Sequence, residues 1–202
     1  MTQYGEDALI LNYFAGRTGR FLDVGAGDGV TFSNTEPLLQ LGWSGVMIEP
    51  SPTQLRWLYT NHGENKRVEI CPFALGELSG TSLLWDGGRC HSMFSTTSKV
   101  HRDLILTHSE GAVPYRELRT VVLSWQDLLT LYSPGPYEFV NIDVEGNNLE
   151  LLASLPFEAI KPSMVCVEID PAWLLEAMKY QLSAAGLTQS QVVGGNLLAW
   201  RK

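Results

Sequence analysis

Two short apolar runs, Phe139-Val140-Asn141-Ile142 and Met164-Val165-Cys166-Val167, are each followed by a pair of acids: Asp143 and Glu145 after the first, Glu168 and Asp170 after the second. Runs of this length bounded by polar turns read as buried strands. Acids at the ends of adjacent strands stand at the carboxyl edge of a sheet, where open α/β folds bind ligands. Four carboxylates gathered there repel one another unless something positive sits among them, whether a sulfonium, a substrate amine or a divalent metal. Asp143, with Glu145 beside it, can take the proton of a hydroxyl as a general base. Alternatively, Asp143 and Glu168 can hold Mg²⁺, which prefers oxygen ligands and would lower the hydroxyl pKa.

A second constellation lies near the start. Phe21-Leu22-Asp23-Val24-Gly25-Ala26-Gly27-Asp28-Gly29 is an apolar strand running into a glycine-rich turn, where small residues let backbone approach a ligand closely. About twenty residues on, the run Gly45-Val46-Met47-Ile48 ends in Glu49, whose carboxylate is placed to accept hydrogen bonds from both hydroxyls of a ribose. A nicotinamide dehydrogenase uses similar parts, but its third glycine position is occupied here by Val30, and the glycine comes one place early at Gly29. Asp23 would repel a pyrophosphate and can face the amino group of a methionine. Both departures favour S-adenosylmethionine over NAD.

The elements that must position these groups alternate between strand and helix patterns, the signature of βα units and a largely parallel sheet. Strands are expected at Arg20–Val24, Gly45–Glu49, Val68–Cys71, Glu138–Ile142 and Met164–Ile169. Helices are expected at Asp7–Phe14, Ser33–Leu41, Thr53–Asn61, Trp125–Tyr132, Asn148–Leu155 and Ala172–Ala185. Thr188–Val193 and Asn196–Trp200 flank Gly194-Gly195 and read as an antiparallel hairpin. Trp85 to Arg119 is polar and weakly periodic, and is expected to be an irregular segment acting as a lid or substrate loop.

A chain of 202 residues fits one domain, expected to span residues 1–202. The three cysteines are widely spaced and suggest neither a disulfide framework nor a metal clip. The net charge of −8 disfavours a nucleic-acid partner, which draws affinity from basic side chains. No apolar stretch is long enough for a membrane span, and Glu6 and Asp7 stand where a signal peptide would be basic, so a cytoplasmic location is expected.

The separated pieces Gly5-Glu6-Asp7, Phe21 to Val30, Ser33-Asn34-Thr35, Gly42-Trp43-Ser44-Gly45, Ile48-Glu49-Pro50, Ala74-Leu75 with Gly80, and Ile142-Asp143-Val144-Glu145-Gly146 together resemble the FkbM-type methyltransferases. The resemblance implies a Rossmann-like class I methyltransferase fold, with a mostly parallel seven-stranded sheet, helices on both faces and the C-terminal hairpin. It also implies S-adenosylmethionine as cofactor and a hydroxyl of a small molecule or glycan as methyl acceptor. Asp23, Gly25, Gly27 and Gly29 would line the methionine end, Glu49 would hold the ribose, and Phe73 and Ala74 would lie beside the adenine. The family often continues the Asp-x-Glu-Gly motif with an acid-containing pair, whereas this chain has Asn147 and Asn148.

Among the histidines, His91 is the candidate for a base or a substrate contact, while His62 reads as a helix-end residue and His101 and His108 rank below His91. Two other functions fit the same residues: a cofactor-binding partner without catalysis inside a biosynthetic assembly, and an NAD-dependent oxidoreductase.

Overall fold

The computed structural model describes residues 2–88, 92–132 and 135–202. Seven of its strands form one sheet in the order β3-β2-β1-β7-β8-β10-β9, where β1 is Arg20–Val24, β2 Ser44–Ile48, β3 Val68–Cys71, β7 Phe139–Ile142, β8 Met164–Glu168, β9 Gln189–Val193 and β10 Asn196–Trp200. The first five pair in parallel, while β10 runs antiparallel to both β8 and β9, so the expected hairpin closes the sheet. The central strands β1, β7 and β8 are buried almost throughout. This is why they read as continuous apolar runs: helices cover a parallel sheet on both faces. One core cluster contains Leu22, Val140 and Val165, and the other, across the sheet, contains Phe21, Phe139 and Met164.

The Rossmann-like architecture follows the expectation, and local chemistry sets the helix ends. Ser51 caps the helix Pro52–His62 by accepting from Gln54 N, with proline in the first turn. The helix expected from Ser33 begins only at Glu36, because the Ser33 hydroxyl accepts from the Glu36 backbone N–H at 3.0 Å and draws the preceding residues into a turn. The stretch expected as one helix from Ala172 is a 3-10 turn, Ala172–Leu174, followed by the helix Leu175–Ala184.

The segment between Trp85 and Arg119 corrects the sequence reading, since its described part is ordered structure. A second sheet, β4-β6-β5, is built from β4 Ala74–Gly76, β5 Gly80–Asp86 and β6 Arg116–Ser124. A capped helix, Lys99–His108, lies between β5 and β6. No helix among the described residues is long and apolar enough to cross a membrane.

Candidate functional site

The first wall of the site is the turn after β1. Gly25, Gly27 and Gly29 all have positive φ. At Gly25 this freedom is required twice over: φ is +87°, and a Cβ would stand 1.7 Å from the carbonyl oxygen of Asp143. Gly25 N and Ala26 N both donate to Ile48 O, which fastens the turn to the end of β2. There Glu49 is buried, and its two carboxylate oxygens accept from Gly27 N at 3.0 Å and Ser51 N at 2.7 Å. Burial pushes its pKa up to about 7 against these two N–H groups, with help from the charges of Asp23 and Asp86.

Asp23, on β1, is 2% exposed. Thr35 Oγ1 donates to one of its oxygens at 2.5 Å and Asn141 Nδ2 to the other at 2.9 Å. Asn34 extends the network by donating to Asn141 Oδ1 at 3.0 Å. Burial raises the Asp23 pKa despite these donors.

Beyond β7 and β8, three of the four expected carboxylates converge, while Asp170 lies against His101. Oxygen atoms of Asp143, Glu145 and Glu168 all lie within 4.8 Å of one another. Burial, and then the charges of Glu168 and Glu145, hold the Asp143 pKa well above the usual carboxylate range, and burial lifts Glu168 to about 7. Asp143 and Glu168 interact directly, so they titrate as a pair. Glu145 is held at φ +55°, a left-handed conformation uncommon outside glycine, and its carbonyl accepts from Thr96 Oγ1 at 2.5 Å.

His101 supplies a positive partner from the protein itself. Ser98 caps the helix Lys99–His108 by accepting from His101 N, which sets the ring in the first turn, facing the cluster. Its Nδ1 lies 3.0 Å from Asp170 Oδ2, and its Nε2 lies 3.0 Å from Glu145 Oε2, close enough for an ion pair though off the axis of a hydrogen bond. Burial works against the charged ring, but the contact with Glu145 and the charges of Asp170 and Glu168 outweigh it and raise the pKa. Asp143, Glu145 and Glu168 offer oxygen ligands of the kind Mg²⁺ takes, yet the imidazole beside Glu145 already relieves part of the repulsion in the cluster. Sequence reasoning ranked His101 below His91. The available signal was its place three residues after Ser98, a capping residue.

Asn147 and Asn148, which follow the Asp-x-Glu-Gly motif, are part of this architecture. Asn148, almost fully buried, accepts from Val144 N and donates to Glu168 Oε2, both at 2.9 Å. An acid at 148 would instead add a fifth carboxylate. Asn147 donates to Thr97 Oγ1 at 3.1 Å, tying the loop to the segment between β5 and the helix Lys99–His108.

A cavity of about 670 Å³ joins these groups, running from Glu49 past the glycine turn to Glu168 and Asp170. Asp23, Gly25, Gly27, Glu49, Ala74, Asp143 and Glu145 are all on its wall. Two expected residues are not. Phe73 is in the core, with its ring 5.3 Å from that of Tyr132, because its backbone turn directs Ala74 and not Phe73 toward the opening. Gly29 serves packing: a Cβ there would meet His62 and Leu58 at 2.6 Å, and His62 Nε2 lies 3.1 Å from the Gly29 carbonyl oxygen. His91, with Arg89 and Cys90, lies outside the described residues.

Residues 23–184 match the family model described as "Methyltransferase FkbM domain". The chain belongs to the FkbM methyltransferase family. Its fold is similar to that of methyltransferase FkbM from Methylobacillus flagellatus KT, with a TM-score of 0.56 and 17% identity over 91% of this chain and 43% of that one. The chain thus spans less than half of that relative's length. It is also similar to cofactor-bound Rv0187 from MTB, with a TM-score of 0.52 and 17% identity over 99% of this chain and 80% of that one. A ribosomal protein L11 methylase from Lactobacillus delbrueckii subsp. bulgaricus matches with a TM-score of 0.51 and 12% identity, covering 98% and 77% of the two chains. At these identities the likeness is one of fold. No curated protein matches the sequence. Within the FkbM family, the cavity walled by the glycine turn and the Asp-x-Glu-Gly loop is the candidate active site.

Proposed function

We propose that this FkbM-family protein binds S-adenosylmethionine across the cavity and methylates a hydroxyl of a small molecule or glycan. The carrying observation is the arrangement of the cavity, in which one buried acid, Glu49, anchors one end and the Asp143–Glu168 pair the other, with the Gly25 turn between them. When bound, the cofactor supplies an electrophilic methyl group on a positively charged sulfur.

The chain's residues do the remaining work. Glu49 accepts from the ribose hydroxyls, and Asp23, fixed by Thr35 and Asn141, faces the methionine ammonium. The Asp143–Glu168 pair can accept a proton as the acceptor oxygen attacks, and the pKa of about 7 at Glu168 suits a base working at neutral pH. Glu145, held by its backbone and His101, sets a further carboxylate beside the positive sulfur. Holding acceptor and methyl group in line contributes up to ~7–11 kcal/mol toward the barrier. The net charge of −8 argues against a nucleic-acid acceptor.

The test is transfer of labelled methyl to a panel of small-molecule and glycan alcohols, with release of S-adenosylhomocysteine. Product formation supports the proposal. Cofactor binding without transfer to any alcohol would favour the non-catalytic assembly partner.

A further inference from the structure

We infer that a second pocket, beside the larger cavity and walled by Arg56, Arg116 and Trp57, binds a phosphate group joined to a sugar or nucleoside ring. The site is separate from the methyl-transfer centre proposed above and does not depend on it.

The pocket has a volume of about 530 Å³ and lies between the first turns of the helix Pro52–His62 and the start of β6. Its charge is the reverse of its neighbour's. Among the described residues, two arginines and no carboxylate line it, whereas the larger cavity is lined by acids and carries no lysine or arginine. An anion therefore finds its favourable place here, on a chain whose net charge of −8 otherwise repels it.

Both guanidinium groups are already held in place. Arg116 donates from one nitrogen to Asp86 Oδ2 at 2.8 Å; the Asp86 side chain is 1% exposed and that of Arg116 61%. Asp86 is itself fixed, since Ser51 Oγ donates to its Oδ1 at 2.8 Å and Thr53 Oγ1 to its Oδ2 at 3.1 Å. One arm of the Arg116 fork is thus anchored below the surface, which leaves its other N–H groups for a ligand. Arg56 sits over the Trp57 ring, 5.5 Å from its centroid, and meets no carboxylate among the described residues. Asp86 answers one of the two positive charges, and the other is left for the ligand. Two forks on one wall favour phosphate over carboxylate: a single fork fills a carboxylate, whereas a phosphate group has three oxygens to share.

Trp57 supplies the contact for a ring. Its side chain is 39% exposed and lines both the pocket and the larger cavity, so apolar ring surface adjoins the arginines. Ser51 joins the two sites from below, because its N–H holds Glu49 Oε1 and its hydroxyl holds Asp86.

The experiment is calorimetric titration of the full chain, with and without saturating S-adenosylhomocysteine, by a hexose phosphate, uridine diphosphate, inorganic phosphate and the unphosphorylated hexose. The two phosphorylated ring compounds are expected to bind at least about tenfold more tightly than inorganic phosphate or the free hexose, and to do so in the presence of S-adenosylhomocysteine. Arg56→Gln, which breaks no ion pair, should weaken them about tenfold, the factor carried by one charge-assisted hydrogen bond. Arg116→Lys keeps a positive charge beside Asp86 but removes the fork, and should weaken them similarly. S-adenosylhomocysteine affinity should be unchanged in both variants. Labelled methyl transfer to the hexose phosphate in preference to the hexose would make the bound compound the acceptor, and binding without transfer would make it an effector; either supports the site. Four results overturn the inference: no binding of either phosphorylated ring compound up to millimolar concentration, affinity indifferent to both arginine variants, inorganic phosphate binding as tightly as the ring compounds, or binding abolished by S-adenosylhomocysteine.

Discussion

The position a Cβ of Gly25 would occupy lies 1.7 Å from the carbonyl oxygen of Asp143. Two loops from different parts of the chain, the turn proposed to hold the cofactor and the one carrying the proposed base, therefore meet without room for a methyl group. Asp143 N also donates to Val24 O at 2.9 Å, so the contact is fastened from both sides.

Gly25→Ala should consequently damage both functions. Alanine at φ +87° is strained, and the clash is with backbone that has no rotamer to change. We expect a stability loss of at least ~2 kcal/mol by urea unfolding, together with loss of detectable S-adenosylmethionine binding by calorimetry.

His101 bridges Glu145 and Asp170, and His101→Gln should leave two carboxylates facing each other. Removing one member of a fully buried pair costs ~3–5 kcal/mol. Solvent reaches both acids, whose side chains are 23% and 31% exposed, so about 1–2 kcal/mol is expected here. Thermal unfolding measures the loss, and proteolysis between residues 99 and 108 should accelerate if the ring anchors that helix.

How much of this was legible in the sequence depended on what each element buries. The five parallel strands and the hairpin were readable because Val24, Ile48, Cys71, Ile142 and Val167 sit in apolar runs. The helix Lys99–His108 was not, because its buried residue is His101, and apolar periodicity does not report a helix anchored by an ion pair. β6 was hidden for a related reason: Arg116, Glu117 and Arg119 face solvent on a half-covered mixed sheet and break the apolar run. Phe73 and Ala74 were adjacent candidates for the adenine wall, and only the backbone direction decides which of them faces the cavity.

Stability of the ligand-free protein should fall as pH rises from about 5 to 8. Glu49 and Glu168 have folded-state pKa values near 7 against an ordinary value of 4.5, so between these the native state binds more protons than the unfolded chain. Their favourable contribution is complete below about 4.5 and is lost as pH passes 7. The raised pKa of His101 acts in the same sense from its ordinary value of 6.5 upward. At about 1.4 kcal/mol per unit of pKa, a decrease of up to roughly 5 kcal/mol is expected in urea unfolding across this range. Stability that is flat or rises would contradict the assignment of protons in the cluster.

Asp143→Asn keeps the shape of the site while removing a member of the proton-accepting pair. Methyl transfer to an alcohol should fall by roughly 10²–10⁴-fold, the usual contribution of a general base, with cofactor affinity changed by no more than about threefold. A parallel loss of cofactor affinity would place Asp143 in binding.

The most direct test of the central claim is calorimetric titration of the protein and of Glu49→Ala with S-adenosylmethionine, S-adenosylhomocysteine and NAD. The predicted result is binding of both sulfur nucleotides and not of NAD, weakened about 10- to 100-fold in Glu49→Ala, as expected for losing hydrogen bonds to a carboxylate. Binding of NAD alone, or sulfur-nucleotide affinity indifferent to Glu49, would contradict the assignment of this cavity.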